Sequence, residues 1–289
     1  MTRRVDRGRR LQLTSRPVSG PLMPRPPGAD EGGERPREFV QSVERGLAII
    51  RSFGPDSPVQ TVSDMAAKTG LTRATARRFL ITLMELGYIQ TDGRNFELTP
   101  RVLELGYSFL SGLGLPDVAL PHLERLVAEV DESSEASVLD GEDIVYVVRV
   151  PSTSIMTLSL NVGARMPAHA TSMGKVLLAG LSEAELDAYL AGADLKAYRP
   201  KTITDRETLR TEIVQARDQG YAVVDQELED GLVAIAVPVH DRAGRTIAAV
   251  NLSTHIARRD VESMRTDLLE PLQRAARAIE ADMASTAPR

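Results

Sequence analysis

Three stretches of this 289-residue sequence carry side chains whose types and spacing could do chemistry, and the first is a run of arginines. Residues 73–86 predict a helix whose apolar side chains fall on one face at a spacing of 3.6 residues. The opposite face presents Arg73, Arg77 and Arg78 around the small Ala74, which would let a nucleic-acid backbone approach closely. Guanidinium groups bind phosphates or guanine edges, whereas the plainer alternative is a solvated face of a packing helix.

The second stretch, residues 167–175, is a loop that leads directly into a predicted helix. The backbone N–H groups of Ser172, Met173 and Gly174 would lie at the helix N-terminus, where the helix dipole favours a carboxylate or a similar anion. The hydroxyl of Thr171 or Ser172 could add a donor to such a site, or it could cap its own helix. The residues alone leave both interpretations open.

The third stretch contains Asp225, Glu227 and Glu229, which alternate and would share one face of a regular strand. Three carboxylates in a row repel each other unless they are exposed, paired or bound to a cation, and exposure is the expected outcome. A metal site is disfavoured because the chain has only four histidines and no cysteine. We therefore predict no metal and no cofactor.

Catalysis is not expected from these residues. Lys175, His169 and Asp225 could be assembled into an acid–base set, but nothing in their spacing enforces it. The sequence also has no phosphate-binding glycine loop and no G-x-S-x-G motif. A small-molecule enzyme whose N-terminal region serves only for dimerisation remains the rival interpretation.

The elements predicted around the arginines follow the order of a winged helix-turn-helix. A helix over residues 61–70 has a capping pair in Thr61 and Asp64, and a helix capped by Thr72 carries the arginines. A hairpin over residues 88–98 follows as the wing. This order favours DNA recognition over a solvated arginine face.

Residues 39–53 predict the first helix of the same region. Val40, Val43, Leu47 and Ile50 share one face of this helix, which we expect to pack behind the other two helices.

A linker helix is predicted over residues 99–115, ended by Leu115 and Pro116. It is apolar on more than one face, so we expect it to pack against a partner chain. The rest of the chain alternates strands with helices, which indicates an α+β domain with an antiparallel sheet. Its predicted elements are a helix over 121–130, a hairpin over 136–150, a strand over 155–161, a helix over 173–181, helices opened by capping boxes at 182–185 and 204–207, strands over 221–226, 232–240 and 246–254, and a long helix over 259–283.

Composition describes a globular chain, with 42% hydrophobic and 26% charged residues. No apolar run approaches the roughly 20 residues that span a bilayer, so we expect no membrane association and a cytoplasmic location. Residues 1–37 hold nine arginines against four acids and read as a disordered tail. Residues 39–98 hold seven basic and six acidic side chains, so DNA contact must depend on placed arginines rather than on a broad basic field.

The chain resembles IclR-type transcriptional regulators from about Phe39 to the C-terminus. The segments that carry the resemblance are residues 45–50, the winged region, residues 167–175, and 225–231 followed by 234–238. Residues 91–94, 171–174, 225–231 and 251–255 are most similar to the subgroup that controls protocatechuate and 4-hydroxybenzoate catabolism, the β-ketoadipate pathway.

The resemblance implies a GAF-like effector domain and a dimer joined through the winged region and linker helix, often with a dimer of dimers. It also implies an effector pocket, to which we add Arg149 and His169 as charge partners for a carboxylate. Some relatives have cysteine where this chain has Ala234, which leaves a polar contact there in doubt. The predicted effector residues are Arg149, Leu158, Leu160, His169, Ser172, Met173, Gly174, Asp225, Ala234, Asn251 and Ser253.

The sequence therefore predicts a ligand-responsive regulator with a tail over 1–37, a winged domain over 38–98, a linker over 99–115 and an effector domain over 116–289. Its expected partners are a palindromic operator and a small aromatic acid or a β-ketoadipate-like dicarboxylate, and the subgroup favours activation. A regulator of glyoxylate, allantoin or sugar-acid use is the alternative within the family. The predicted DNA-contacting residues are Ser63, Thr72, Arg73, Ala74, Thr75, Arg77, Arg78 and Arg94.

Overall fold

Three helices and a small sheet form the N-terminal part of the chain in the predicted winged helix-turn-helix order. The structure, a computed structural model, describes residues 36–54, 56–152 and 161–286. The order of the sheet is β1-β3-β2, and the first of these strands was not predicted. The elements are α1 (Gln41–Arg51), β1 (Val59–Thr61), α2 (Val62–Thr69), α3 (Arg73–Glu85), β2 (Ile89–Thr91) and β3 (Asn95–Leu98).

Capping residues fix where the second and third helices begin. Thr61 and Asp64 make a reciprocal capping box at α2, as the sequence predicts. The chain leaves α2 through Gly70, whose φ of +68° suits glycine, and the Thr72 side chain accepts a hydrogen bond from the Thr75 amide to open α3. Together these caps set the sharp turn between the two helices.

The prediction for the buried face of α1 is wrong for three of its four residues, whereas Ile50 is partly buried and packs against the core as expected. Val40, Val43 and Leu47 are 58%, 58% and 49% exposed, whereas Ile49 is fully buried. Ile49 and Phe53 belong to the core that α1 shares with α2, α3 and the wing, so the helix is turned with its apolar stripe outward. An exposed apolar stripe of this kind marks an interaction surface.

The linker begins as a 3-10 turn over Pro100–Leu103 and continues as α4 (Glu104–Leu113). Gly114, with a φ of +61°, ends it, and α5 (Leu115–Val130) begins at once. The helix predicted to start at residue 121 therefore starts six residues earlier. Pro116 is tolerated there because the first helical turn leaves its amide groups unpaired in any case.

A six-stranded antiparallel sheet forms the C-terminal part, as predicted, with the order β6-β5-β4-β9-β8-β7. The short β6 was not predicted, and the strand predicted over 155–161 falls almost wholly outside the described residues. The strands are β4 (Ser133–Asp140), β5 (Asp143–Val150), β6 (Arg165–Pro167), β7 (Ala222–Asp225), β8 (Leu232–His240) and β9 (Thr246–His255).

Helices cover both faces of this sheet, and each face has its own apolar core. One core joins the sheet to α5 and to the C-terminal helical segment. The other joins it to the three helices that lie between β6 and β7 along the chain. These helices are α6 (Ser172–Ala179), α7 (Glu183–Gly192) and α8 (Arg206–Gln219), and the C-terminal segment contains α9 (Val261–Ser263), a π-turn over Met264–Leu268 and α10 (Leu269–Thr286).

The two predicted capping boxes have different outcomes. Ser182 and Glu185 form theirs at the start of α7. The predicted box at Thr204 is wrong, because Asp205 is the residue whose side chain accepts a hydrogen bond, from the Thr208 amide, at the start of α8. The aspartate side chain one residue later performs the same capping function.

The backbone of α6 lies unusually close to the turn before it. A Cβ atom added at Gly174 would lie 2.0 Å from the Ala168 carbonyl oxygen, which is a backbone atom and cannot move aside cheaply. Only glycine therefore allows α6 to sit where it does.

Replacing Gly174 by alanine should lower the free energy of unfolding by about 1–3 kcal/mol, because the added methyl group overpacks the turn. Denaturant unfolding of the full chain measures this. Gly192→Ala is the matched control: its Cβ would meet nothing within 4 Å, so the change should stay within about 1 kcal/mol. Equal effects in both variants would contradict the close approach at Gly174.

Candidate functional site

The arginine face of α3 is exposed, as predicted. Arg73, Ala74, Arg77 and Arg78 all lie on the surface, while Ala76, Leu80 and Leu83 are buried on the opposite side. Three exposed guanidinium groups around a small residue can reach a phosphate backbone or a base edge.

The other predicted DNA-contacting residues lie at the start of α3, on α2 and on the wing. Thr72 and Thr75 are bound to each other, with their hydroxyl oxygens 2.9 Å apart, so their first role is to cap α3. Ser63 is half-buried in the first turn of α2, and Arg94 is exposed at the tip of the wing.

The wing tip is rigid around Asp92. Its carboxylate accepts hydrogen bonds from the Arg94 amide at 2.9 Å and from the Asn95 amide at 2.7 Å. These bonds, the Asn95 amide first, lower the pKa of Asp92 to about 2, so the turn stays charged and closed at neutral pH. Arg94 is therefore held on a fixed turn.

A second site lies between the sheet and the N-terminus of α6, where a partly open cavity has about 30 Å³ of space for the centres of water-sized groups. Five of the predicted effector residues line it: Ser172, Met173, Ala234, Asn251 and Ser253. The remaining lining residues are Glu135, Tyr146, Ala170, Thr171, Val224, Glu227, Leu228 and Leu232.

Six predicted effector residues remain, and none of the four that the structure describes lines this cavity. Gly174 faces the Ala168 backbone, and Asp225 forms an ion pair with Lys201, whose hydrogen bond lowers the pKa of that carboxyl. Leu158 and Leu160 lie outside the described residues.

His169 and Arg149 are the other two. His169 is buried, and its Nε2 lies 3.1 Å from the Lys196 carbonyl oxygen. Burial lowers the pKa of its imidazole, which disfavours the positive charge that pairing with a carboxylate would require. Arg149 lies directly opposite Glu135 on the neighbouring strand, with Nε 3.9 Å from Oε1 of Glu135, and is not among the lining residues.

Both interpretations of the α6 N-terminus have support. The Thr171 hydroxyl oxygen accepts a hydrogen bond of 3.1 Å from the Gly174 amide, so the helix does cap itself at that group. Ser172 and Met173, one and two residues further on, line the cavity. Self-capping and a cavity at the helix start therefore coexist.

The acidic run does not lie on one strand face, so that prediction is wrong. β7 ends at Asp225, and Gln226 has a φ of +59°, which breaks the alternation. Glu227 then turns inward, where its Oε1 lies 2.6 Å from Nζ of Lys175. Glu227 is buried rather than exposed as expected, because a buried lysine partner compensates its charge.

Glu135 is the most strongly perturbed acid of the cavity, and sequence reasoning missed it. It is 2% exposed on β4, where its carboxylate is 3.4 Å from the Ser253 hydroxyl and its amide donates to Oδ1 of Asn251 at 2.8 Å. Burial, the largest cause, raises the pKa of Glu135 to about 7. The signal that could have identified it is the position of this acidic residue directly before a predicted strand.

Metal and membrane chemistry find no support in the described part of the chain. Across residues 36–54, 56–152 and 161–286, no group of three or more His, Asp or Glu side chains is arranged to hold a metal ion. Over the same ranges, none of the helices has the length and apolar character to cross a bilayer.

Two family descriptions match this sequence. Residues 42–93 match the IclR helix-turn-helix domain, and residues 107–281 match the bacterial transcriptional regulator IclR C-terminal domain. The missed residues Glu135, Tyr146 and Glu227 all fall inside the second match.

Individual relatives point the same way. The chain is 43% identical over 222 residues to the Pca regulon regulatory protein of Pseudomonas putida, covering 76% of each chain. It is 39% identical to the p-hydroxybenzoate hydroxylase transcriptional activator of Acinetobacter baylyi over 75% of this chain and 82% of that one. A crystal structure of an IclR homologue from Microbacterium hydrocarbonoxydans, complexed with 4-hydroxybenzoate, is similar with a TM-score of 0.76 and 28% identity, over 84% of this chain and 99% of that one.

Glu135 should make stability depend on pH. A glutamate pKa raised from 4.5 to about 7 stabilises the fold fully below pH 4.5, and this contribution of roughly 3 kcal/mol is lost as the pH rises through 7. The difference in unfolding free energy between the wild type and Glu135→Gln should therefore fall between pH 5 and pH 8, measured by denaturant titration. Glu212→Gln, at a half-exposed position, is the control, and a flat difference for Glu135→Gln would contradict the burial effect.

Proposed function

The chain belongs to the IclR family of bacterial transcriptional regulators, and from that premise we propose that it controls an aromatic-acid catabolic operon of the β-ketoadipate pathway in response to a small carboxylate effector. The observation that carries the proposal is the cavity between the sheet and α6, which combines apolar lining residues with a few polar ones. The named relatives regulate Pca genes and p-hydroxybenzoate hydroxylase, and the similar crystal structure contains 4-hydroxybenzoate. The family and these relatives are regulators rather than enzymes.

In this proposal α3 is the recognition helix. Arg73, Arg77 and Arg78 enter the major groove, while Arg94 on the wing contacts the backbone or the minor groove. The exposure of all four side chains supports this assignment. Because the winged region is nearly neutral, these few contacts must supply most of its attraction for DNA.

A second copy of the chain completes the DNA-binding unit. Apolar side chains are exposed on α1, with Val40 and Val43, and on α4, with Leu105, Tyr107 and Phe109. Covering both with a partner buries surface that a monomer would expose. The resulting two-fold symmetry implies a palindromic operator with half-sites about one helical turn apart or a multiple of it.

The effector acts by favouring one arrangement of the two winged regions over another. The helix α4 links the winged region to α5, and α5 packs on the sheet face opposite the one that α6 covers. The strands of the sheet therefore connect the cavity to α5 and α4, and α4 is the transmitter in this proposal. Activation is the direction that the named Acinetobacter relative supports.

Effector binding tests the proposal directly. Calorimetry with the full chain should detect binding of 4-hydroxybenzoate, protocatechuate or β-ketoadipate. Ala234→Leu should abolish it, because Ala234 lines the cavity and the larger side chain would take the place of the ligand. Ala243→Leu, on the exposed hairpin turn after β8, is the matched control and should bind normally. If none of the three acids binds the wild type, the proposed effector class is wrong.

Operator binding tests the arginine assignment. Arg77→Ala or Arg78→Ala should weaken binding to the intergenic DNA beside the regulated genes by about 1–3 kcal/mol for a base contact, or reduce the salt slope by about one for a phosphate contact. Gel-shift titrations at matched salt measure this. Arg242→Ala removes an equally exposed arginine from the β8–β9 turn and should leave affinity unchanged. Unchanged affinity in all three variants would exclude α3 as the recognition helix.

A further inference from the structure

The cavity between the sheet and α6 is too small for an aromatic ring, so its lining has to separate before such a molecule can enter. It has about 30 Å³ of space for the centres of water-sized groups, whereas a cavity of roughly 150 Å³ accepts benzene. The close backbone packing of Gly174 against Ala168 fixes the α6 side of the cavity. The segment that follows β7 on the other side is therefore the part that has to move.

This segment, the acidic loop of residues 226–231, is a unit with a narrow base. Gln226 and Gly231 form its ends, and both have a positive φ, of 59° and 81°. The Gly231 amide donates a hydrogen bond of 3.0 Å to Oε1 of Gln226 and so closes the base. Glu227 and Leu228 lie between these ends and line the cavity. A loop closed at its base can turn as one body about its two end residues when its outer contacts break.

The outer contacts of the acidic loop go to a strap, residues 195–203, which lies between α7 and α8. Both ends of the strap are packed in the core that it shares with α6. Near its start, the Lys196 carbonyl oxygen lies 3.1 Å from Nε2 of His169, one residue before the cavity lining begins at Ala170. The strap thus contacts the fixed side of the cavity as well as the acidic loop.

Thr202 is the residue of the strap that holds the acidic loop. Its hydroxyl donates a hydrogen bond of 2.5 Å to the Glu227 backbone carbonyl oxygen. The same oxygen accepts hydrogen bonds from the amides of Tyr198 and Arg199, at 3.1 and 2.8 Å. Because Thr202 is only 9% exposed, loss of its hydroxyl would leave one acceptor and two donors unpaired in a largely buried place.

Two ion pairs add to this contact but contribute less. Nε of Arg199 lies 3.2 Å from Oδ2 of Asp230, and Nζ of Lys201 lies 2.5 Å from Oδ2 of Asp225, directly before the acidic loop. The Asp230 side chain is 77% exposed and that of Lys201 is 52% exposed. Ion pairs with such exposed members contribute little to stability, so the threonine is the main attachment.

We propose that Thr202 is the latch of the cavity: it positions the acidic loop through Glu227, and its release opens the cavity while the rest of the domain stays folded. The inference rests on the proposed function, because it describes how an effector reaches its site. An opening of this kind requires less free energy than global unfolding, since the ends of the strap and the base of the loop keep their contacts. The strength of the Thr202 hydrogen bonds therefore sets how fast an effector enters.

Single cysteines measure the opening without any ligand, because the sequence contains none. Val224→Cys places a thiol in the cavity lining, where the valine is 4% exposed. Val250→Cys places one in the core on the opposite face of the sheet, where the valine is fully buried. The neutral reagent 4,4′-dithiodipyridine reacts with a buried thiol only when the surrounding structure opens, so each rate measures an open population.

The Val224→Cys thiol should react far faster than the Val250→Cys thiol, because only the first is reached by local opening. Thr202→Val removes the hydroxyl at almost unchanged volume and should raise the rate at Val224→Cys at least about tenfold. Thr202→Ser keeps the hydroxyl and should stay within about twofold of the parent. Equal rates for the two thiols in the parent, or equal effects of the valine and serine changes, would overturn the latch.

A change in the opposite core separates local opening from a general loss of stability. Ile279→Val weakens the fold as a whole, so it should raise the rate at Val250→Cys. It should leave the rate at Val224→Cys unchanged, because the opposite core stays intact when the latch opens. A parallel rise at both thiols would show that the cavity opens only by unfolding, and the inference would be wrong.

A second variant serves if Thr202→Val does not fold. Arg199→Gln with Lys201→Gln removes both ion pairs at partly exposed positions and should raise the rate at Val224→Cys by about threefold. An unchanged rate in this double variant would contradict the proposed role of the strap.

Stopped-flow binding of 4-hydroxybenzoate to the full chain then connects the latch to the effector. Thr202→Val should raise the association rate by about the same factor as the thiol rate, and an unchanged association rate would exclude the acidic loop as the way in. If neither this acid, protocatechuate nor β-ketoadipate binds, the proposed effector class is wrong. The thiol rates decide the existence of the latch in either case.

Discussion

The ion pair between Lys175 and Glu227 is the interaction on which the effector region depends. It joins the second turn of α6 to the segment that follows β7, and both side chains are almost fully removed from water. Burying one of these charges alone is costly, so each residue requires the other. The hydroxyl of Thr202 adds a third attachment, since it donates to the Glu227 backbone carbonyl. The pair therefore ties the start of α6 to the segment that follows β7, beside the cavity that Glu227 helps to line.

Charge is distributed differently in the two working parts of the chain. On α3 and the wing, the arginines are exposed to water and can bind a polyanion. Salt weakens the attraction between these exposed charges and the polyanion. Around the cavity, the acids Glu135 and Glu227 and their cation partners Arg149 and Lys175 are largely removed from water, so salt screens them little. The first arrangement suits a long charged surface, and the second suits selection among small molecules that differ by a single polar group.

Much of the fold could be predicted from the sequence because local chemistry determines it. Thr61, Thr72 and Ser182 begin their helices as caps wherever they occur, and the turn at residues 140–143 fixes the near end of its hairpin. The cavity could not be predicted in the same way. A bulge between Ala136 and Ser137 shifts the register so that Arg149, and not Val148, lies opposite Glu135, and the positive φ of Gln226 turns Glu227 inward. The outward face of α1 was likewise missed, because hydrophobic periodicity identifies an apolar stripe without saying which chain covers it.

The contact between Gly174 and Ala168 limits how this sensor can evolve. Two backbones touch there, so α6 cannot retreat to admit a bulkier molecule. Room for a larger aromatic ring has to come from the strands instead, at positions such as Leu232 and Asn251, where a smaller side chain can be substituted without moving the main chain. A directed-evolution library aimed at new inducers would be best concentrated on β8 and β9, leaving the helix start as an invariant scaffold.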